Sequence, residues 1–306
     1  MNAALGVLRR RLIRAAAVAA LSGFGAAHAQ HGGAPSPAKA AVDLANPLVG
    51  TAPLDQPALI GNAPPPGELL YSGLTSPGAR LPQSKTEAAP VNVNVDLSYP
   101  MGVDASYAYA NPTMIGFTGG GSAYGAQAAP IIMPVVGDWT VPPSYTQAYY
   151  DKATEKASPG YYAVDLATFR TKVELTATRS TSLMRFTFPE SQRANVVIDL
   201  RRAGGRVEVV GDRKIVGLAT RKDSGPAADG PWFVAEFSRP FTSFGTFRAV
   251  HEGQWGVLGD KDVEAGRRAV SGGNAGAYLT FATQAGEQVL MRIAHGYSAA
   301  EAEQRL

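Results

Sequence analysis

The chain has 306 residues, of which 28 are Lys or Arg and 25 are Asp or Glu, and it contains no cysteine. Disulfides, thiol nucleophiles and cysteine-based zinc sites are therefore excluded. Four of the arginines lie in residues 1–29, which contain no acid, so the rest of the chain carries 24 basic against 25 acidic residues. Since no clustered basic face or recognition motif remains, we expect no nucleic-acid partner.

The segment 1–29 has the pattern of a secretory signal peptide. Four arginines between Arg9 and Arg14 precede an apolar run over residues 15–26, and Ala27-His28-Ala29 matches an A-x-A cleavage site. Because a bilayer span needs about 20 apolar residues, we expect cleavage and no membrane span in the mature chain. This predicts a periplasmic or secreted protein. Residues 30–41 are rich in Gly, Pro and Ala, which predicts a flexible leader.

Patterned segments begin at residue 42. Residues 42–51 suit an edge strand or a segment that lies across a sheet, and the Pro- and Gly-rich loop that follows, 55–85, is of a length that is usually functional or disordered. Residues 91–97 alternate strictly between apolar and polar, which predicts a strand. Residues 131–139 predict a strand that a proline interrupts.

The most regular pattern lies within residues 157–200, where four strands are predicted. The apolar side of the first three consists of Tyr162, Val164, Leu166, Val173, Leu175, Ala177, Met184, Phe186 and Phe188. Six further strands are predicted over residues 207–210, 214–220, 232–238, 243–249, 277–282 and 288–297. Short strands at this spacing, with no long amphipathic helix between them, predict an all-β fold: one large antiparallel β-sandwich over residues 42–297.

A short helix is predicted at the end of the chain. Ser298 and Glu301 form an S-x-x-E capping box, which places Ser298 at the N-cap. We interpret residues 298–306 as the start of a linking helix. Such a short helix is marginal unless it packs against another element.

The glycine-rich segment 115–125 offers no nucleotide or nucleophile motif. Tyr124 breaks both a G-x-G-x-x-G and a G-x-S-x-G pattern, so a bulged turn is the simpler interpretation. The histidines of the mature chain, His31, His251 and His295, lack metal-binding spacing and are interpreted as structural or solvated.

A pair of carboxylates can act as acid and base in glycoside hydrolysis. By position alone, the candidates for such a pair are Asp138, Glu174, Glu190 and Asp199. Acidic residues on the polar side of strands are usually solvated, and we interpret these four in that way. No catalytic residue, cofactor ligand or metal ligand is therefore assigned in this chain.

Several different short motifs are spread along the sequence. They are residues 42–51, Gly61-Asn62, Ser76-Pro77-Gly78-Ala79, Leu81-Pro82, Ile115-Gly116-Phe117, Met133-Pro134, S-P-G-Y-Y at 158–162, E-L-T-A-T at 174–178 and F-S-R-P-F at 237–241. In this order, they resemble the N-terminal domain of glycoside hydrolase family 92, the bacterial exo-acting α-mannosidases. The first motif is similar to a V-D-P-L-I-G-T start, and the next three are similar to G-N-T-F-P-G-A…L-P-F-G.

The resemblance implies a supersandwich-like N-terminal domain, linking helices and a larger helical C-terminal domain. Members of the family hydrolyse α-mannosides with inversion in a Ca²⁺-dependent way, and the helical domain holds the acid, the base and most of the calcium site. The resemblance thus implies that this chain is a non-catalytic domain, inactive alone, whose catalytic domain is supplied in trans or absent. Its ligands would be α-mannoside glycans. Calcium is expected for the full-length enzyme, and no cofactor is expected in this chain.

The resemblance also implies that loops of the N-terminal domain border the sugar pocket. The residues that correspond are Ser76, Pro77, Gly78, Arg80, Gly119, Gly120, Gly121 and Ser122. Two segments depart from the family pattern: residues 116–121 lack the histidines of G-F-S-H-x-H-x-S-G, and Pro82-Gln83-Ser84 replaces P-F-G. An alternative function is a stand-alone carbohydrate-binding or interaction module without catalysis.

Overall fold

The computed structural model describes residues 40–51, 75–84, 86–92, 107, 109, 111–120, 129–138, 148–200, 205–219, 231–248 and 263–306. Predictions that lie outside these residues concern the signal peptide, residues 30–39, 55–74 and 93–97, His31, His251, Gly121 and Ser122. The described residues belong to one compact unit, Lys39–Leu306. No helix in this part of the chain is both long and apolar enough to cross a membrane.

The described structure is built mainly of strands. In chain order they are β1 (Ala89–Val91), β2 (Thr113–Met114), β3 (Gly116–Thr118), β4 (Ile131–Val136), β5 (Ala148–Ser158), β6 (Tyr161–Leu166), β7 (Thr171–Ala177), β8 (Thr181–Phe188), β9 (Ser191–Asp199), β10 (Gly205–Val210), β11 (Lys214–Ala219), β12 (Trp232–Phe237), β13 (Ser243–Arg248), β14 (Val263–Ala265), β15 (Ala269–Ser271), β16 (Ala275–Thr283) and β17 (Glu287–Gly296). A 3-10 helix (Ala41–Leu44) precedes them and helix α1 (Ala299–Arg305) follows.

Two antiparallel sheets form the predicted sandwich. The smaller has the strand order β1-β3-β4-β9-β16-β13-β14, and the larger has the order β15-β10-β11-β12-β17-β8-β7-β6-β5-β2. Strands β5 to β8 follow one another as hairpins in the larger sheet, while β9 crosses to the smaller one. The all-β fold and the large antiparallel β-sandwich that the sequence predicts are confirmed.

One face of the larger sheet lines the core. Tyr162, Val164 and Leu166 of β6 are fully buried, and so are the alternate residues Val173 of β7 and Phe186 of β8. These side chains are among those that the alternation places on the apolar side. The period of two therefore predicts both the strands and the face that each one buries.

The smaller sheet is apolar on both faces at its centre. Residues 194–199 of β9 are all buried, and β4 and β16 pair with this strand on its two sides. An almost continuous apolar run is typical of such a strand. Asp199, at the end of the run, is only 1% exposed, so its interpretation as a solvated carboxylate is wrong.

Pro134 does not interrupt β4, contrary to the interpretation from sequence. It is paired with Val196 of β9 on one side. On the other side, β3 is paired with β4 only through Phe117 and Ile132. Beyond that pair β3 no longer flanks β4, which leaves one side of the strand open at Pro134, and the strand continues to Val136.

The segment 42–51 does not form an edge strand. The 3-10 helix covers its start, and a turn follows, in which the amide of Thr51 donates to the carbonyl of Leu48 at 3.2 Å. Asn46, whose side chain accepts from the amide of Leu48 at 3.0 Å, favours this local turn over extended pairing.

Helix α1 begins as the capping box predicts. The side chain of Ser298 accepts from the amide of Glu301 at 3.1 Å, and Glu301 Oε2 accepts from the amide of Tyr297 at 2.7 Å. The helix packs on β17 and β12, where Ala302 is fully buried. Gly296 permits this approach, since a Cβ there would lie 2.7 Å from the amide nitrogen of Ala302.

Candidate functional site

The structure brings the two predicted rim segments together through β1. Ala79 and Ala88 form an antiparallel bridge with hydrogen bonds of 2.8 and 3.0 Å. The next residue, Ala89, is paired with Thr118, which directly precedes Gly119. Segment 75–80 and the glycine segment are thus both connected to β1 by backbone pairing. Gly121 and Ser122 lie outside the described residues.

Segment 75–80 folds around a carboxylate that was not singled out from the sequence, that of Glu87. The amide of Gly78 donates to Ser76 Oγ at 3.1 Å. A Cβ at position 78 would lie 2.6 Å from Glu87 Oε1 and 2.7 Å from the Cβ of Ala89. Glycine is therefore required at position 78 for the carboxylate to reach this place.

Glu87 and Arg80 form an open ion pair. Arg80 Nη1 lies 3.9 Å from Glu87 Oε2, and the two side chains are 49% and 5% exposed. Burial raises the pKa of Glu87 above its ordinary value, and the Ser76 hydrogen bond and the charge of Arg80 oppose that rise. Pro77, which lies between Ser76 and Gly78, is buried and presents no polar group.

Ser84 fixes this loop on the larger sheet. A β-turn centred on Pro82 and Gln83 is closed by the amide of Ser84, which donates to the carbonyl of Leu81 at 3.1 Å. The Ser84 hydroxyl lies 3.2 Å from the carbonyl oxygens of both Thr178 and Arg179, in the turn between β7 and β8. The loop is thus tied to both sheets.

Gly119 and Gly120 pack against the same end of the larger sheet. Ser182 Oγ donates to the carbonyl of Gly119 at 3.0 Å, and a Cβ at Gly119 would collide with Ile293 of β17. A Cβ at Gly120 would lie 2.8 Å from His295 Nε2 and 2.6 Å from the Cβ of Ala129. Both glycines allow close packing, which gives a structural reason for glycine at these two positions.

His295 lies between the glycine segment and helix α1. Its Nε2 is buried and has no hydrogen-bond partner among the described residues, although part of the residue is exposed. Burial lowers the pKa of His295 to about 4, and the charge of Arg305 adds to the effect. Arg305 Nη1 donates to the carbonyl of His295 at 2.8 Å. His295 is thus a neutral packing residue under the helix, and of the two interpretations the structural one is confirmed.

The remaining candidate carboxylates do not converge. Glu174 is 8% exposed and receives two hydrogen bonds of 2.7 Å from Arg185, which lower its pKa to about 2. Its interpretation as solvated is wrong, because Arg185 on the neighbouring strand compensates its charge. Asp138 and Glu190 are exposed, as expected. Glu174 lies on β7 of the larger sheet and Asp199 on β9 of the smaller sheet.

Another carboxylate with a buried side chain, that of Glu155 on β5, is enclosed by its neighbours. Its Oε1 accepts from the hydroxyls of Tyr107 at 2.5 Å and Tyr162 at 2.7 Å. Its Oε2 makes no aligned hydrogen bond to a described residue but lies 2.5 Å from the ammonium of Lys152. That ammonium stands 3.8 Å above the ring of Tyr109. Every group here has a partner within the fold, which makes the cluster structural.

A profile of the Glycosyl hydrolase family 92 N-terminal domain matches residues 44–295 of the chain. Two solved structures from Bacteroides thetaiotaomicron are similar in fold. The family GH92 α-mannosidase BT3965 shares 24% identity over 86% of this chain and 34% of its own, with a TM-score of 0.64. The family GH92 inverting mannosidase BT2199 shares 24% identity over 86% of this chain and 32% of its own, with a TM-score of 0.66.

A third structure, the family GH92 glycosyl hydrolase ccman5, shares 21% identity over 72% of this chain and 30% of its own, with a TM-score of 0.53. A search of curated proteins finds no significant match. The chain spans about a third of the length of the mannosidases that it resembles. The match to the family profile covers most of the chain, and the chain therefore belongs to glycoside hydrolase family 92, of which residues 44–295 form the N-terminal domain.

Proposed function

We propose that this chain is the non-catalytic, sugar-facing domain of an exported α-mannosidase. In this proposal the acid, the base and the calcium ion are supplied by a helical domain outside these 306 residues, on the same polypeptide or on a partner chain. The glycan is hydrolysed with inversion. The chain's own contribution is to border the sugar pocket and orient the substrate, which lowers the entropic part of the barrier.

The observation that carries the proposal is the convergence of the two rim segments. Ser76, Gly78 and Arg80 surround the carboxylate of Glu87. Strand β1 links this segment to Gly119, because Ala88 is bridged to Ala79 and the next residue, Ala89, is paired with Thr118. Small residues with a few polar groups at a shared edge are typical of a surface that approaches a ligand closely. The fold similarity to mannosidases supports the same assignment.

Calcium does not fit the described residues. Calcium takes six to eight oxygen ligands, several of them carboxylates. Among the residues that the structure describes, no three His, Asp or Glu side chains lie close enough together to hold a metal ion. We therefore assign calcium to the proposed helical domain and derive no step through it here.

Export is part of the proposal and rests on the sequence of residues 1–29. A periplasmic or secreted location fits an enzyme that degrades external glycans. N-terminal sequencing of the exported protein tests it, and Gln30 is the expected first residue. A protein that retains residues 1–29 in the cytoplasmic fraction would contradict it.

The hydrolytic test uses the purified chain with an aryl α-mannoside or mannobiose and Ca²⁺. We expect no turnover above the buffer blank. Turnover that survives repurification would show that the chain carries its own acid and base. Retention of the chain on immobilised mannan at about micromolar affinity would instead favour the stand-alone binding module, because an incomplete pocket makes too few contacts for such affinity.

A further inference from the structure

The side chain of Lys152 lies among tyrosine rings beside β5. Its ammonium stands 3.8 Å from the centroid of the Tyr109 ring. The ring centroids of Tyr107 and Tyr150 follow at 5.1 and 5.3 Å, and all three rings are close enough to attract a cation. The carboxylate of Glu155, at 2.5 Å, adds a full negative charge. The three tyrosines and Glu155 thus form an ammonium cage, similar in composition to sites that recognise ammonium ligands.

An irregularity in β5 directs Lys152 and Glu155 to the same side. Two residues that are three positions apart in a regular strand point to opposite faces of the sheet. Here the pairing of β5 with β6 shifts register between Asp151 and Lys156, so that the four residues between them lie opposite Val164 alone. A bulge of this kind re-aims side chains, and it brings the ammonium and the carboxylate together.

Two of the phenols present their lone pairs to the ammonium. Tyr107 donates its proton to Glu155 Oε1 at 2.5 Å, and Tyr150 donates to the carbonyl of Asn111 at 2.8 Å. Each hydroxyl is therefore left to accept from Lys152 Nζ, which lies 2.6 Å from the first and 3.2 Å from the second. Burial and the hydrogen bond to Glu155 raise the pKa of Tyr107, so that its proton stays in place.

The ammonium cage matches a primary ammonium in particular. Such a group has three N–H donors, and three oxygens lie within 3.2 Å of Lys152 Nζ, those of the Tyr107 and Tyr150 hydroxyls and Glu155 Oε2. A quaternary ammonium has no N–H to donate to these oxygens. The Lys152 side chain is 32% exposed, so the space that it fills is open to solvent.

We propose that the ammonium cage is a binding site for short primary alkylammonium groups, and that Lys152 is its tethered ligand. The site is independent of the sugar-facing role of the chain, because its residues lie outside both rim segments. A free alkylammonium ion should occupy the cage when the lysine side chain is removed.

The test is urea denaturation of Lys152→Ala with n-propylammonium chloride, whose atoms are those removed beyond Cβ. Cavities left by truncation can bind molecules of the removed shape. Without the tether we expect a Kd of about 10 mM, so 0.1 M of this salt should lower the unfolding equilibrium constant about tenfold. Tetramethylammonium chloride, which has no N–H donor, and uncharged propan-1-ol should each lower it less than about twofold at the same concentration.

Two proteins serve as matched controls for that experiment. The double variant Lys152→Ala/Glu155→Gln keeps the vacated space and loses the charge, so n-propylammonium should no longer stabilise it. The wild type should not respond either, since Lys152 already fills the ammonium cage. The same stabilisation in either control or with tetramethylammonium would overturn the inference, and so would an absence of stabilisation in Lys152→Ala.

Acetylation of the native protein provides a test that does not require Lys152→Ala to fold. N-hydroxysuccinimidyl acetate is the reagent, and peptide mass spectrometry measures the rates. Because its ammonium must first break its hydrogen bonds, Lys152 should react at least about tenfold more slowly than exposed Lys156. In Tyr109→Leu, at a position that is 41% exposed, the difference should narrow about threefold. Equal rates in the wild type, or an unchanged difference in Tyr109→Leu, would overturn the inference.

Discussion

His295 Nε2 lies against the backbone of Gly120, so close that a Cβ at position 120 would stand 2.8 Å from it. Within the part of the chain that the structure describes, the same imidazole nitrogen is buried without a hydrogen-bond partner. The carbonyl of His295 accepts from Arg305 of helix α1. One histidine thus connects the packing of the glycine segment to the packing of the terminal helix.

Gly120→Ala should destabilise the protein. The new methyl group would meet both His295 Nε2 and the Cβ of Ala129, and neither is the flexible end of a side chain. We expect the free energy of unfolding to fall by about 1–3 kcal/mol in chemical denaturation, as for an overpacked core position. Gly273→Ala is the control, since no atom of the described residues lies within 4 Å of a Cβ there. Equal stability of the two variants would contradict the packing.

The protein should lose stability on mild acidification because of His295. Its pKa falls from 6.5 to about 4 through burial, so the unfolded chain binds this proton more readily than the native chain. The contribution of neutral His295 to the free energy of unfolding is complete above pH 6.5. It is lost as the pH falls towards 4, and the loss is at most about 3 kcal/mol. Urea denaturation at several pH values measures it.

His295→Gln should remove that part of the pH dependence. Glu174, whose pKa is lowered to about 2, acts in the same direction only below its ordinary value of 4.5. Glu87, whose raised pKa acts in the opposite direction above 4.5, is common to both proteins, so the difference between His295→Gln and the wild type from pH 4.5 to 6.5 belongs to His295. If His295→Gln and the wild type lose stability in parallel across that window, His295 is not the buried neutral group described here.

Lys152→Met should destabilise the protein strongly. The Glu155 side chain is 1% exposed, and the ammonium of Lys152 is the cation beside it. Removing that cation leaves a buried, uncompensated charge, at a cost of about 3 kcal/mol. The double variant Lys152→Met/Glu155→Gln should recover much of the loss, and Lys156→Met, on the exposed side of the same strand, should change little. A Tm of Lys152→Met equal to that of Lys156→Met would argue against the cluster.

Ser298→Ala should loosen helix α1 without unfolding the sandwich. The Ser298 side chain caps the amide of Glu301, and loss of an N-cap costs about 1 kcal/mol. Hydrogen exchange should accelerate in peptides over residues 299–305 and stay unchanged in β6 to β8. Gln304→Ala, at an exposed helix position, is the control. Unchanged exchange in Ser298→Ala would mean that packing of Ala302 alone holds the helix.

Local pattern predicts most of this fold, because alternation within a strand depends only on which face is buried. Tyr162, Val173 and Phe186 are placed on the correct face for that reason. Pro134 is misjudged because the effect of a proline depends on where the neighbouring strand ends. Glu174 is misjudged because its partner, Arg185, lies across a hairpin, where cross-strand register rather than local polarity decides the outcome.

The candidate site is only partly visible in the sequence. The resemblance marks Ser76, Gly78 and Arg80, yet Glu87 carries no local signal. Its position depends on the bridge between Ala79 and Ala88, which folds the loop back on itself. Pro82 at the centre of a tight turn is the one local feature that indicates such a return. The bridge between Ala79 and Ala88, rather than the local sequence, therefore determines where the Glu87 carboxylate lies.

The sheet edges have a consequence for how copies of this protein behave at high concentration. The outermost strands of the two described sheets, β1, β14, β15 and β2, are only two or three residues long, and β1 contains Pro90. Such edges expose few backbone donors and acceptors on which another chain could add a strand. These four short strands thus disfavour edge-to-edge addition by their geometry. Strand β5, which has 11 residues and is paired with β2 only through Ala148 and Tyr149, is the described edge on which another chain would first add a strand.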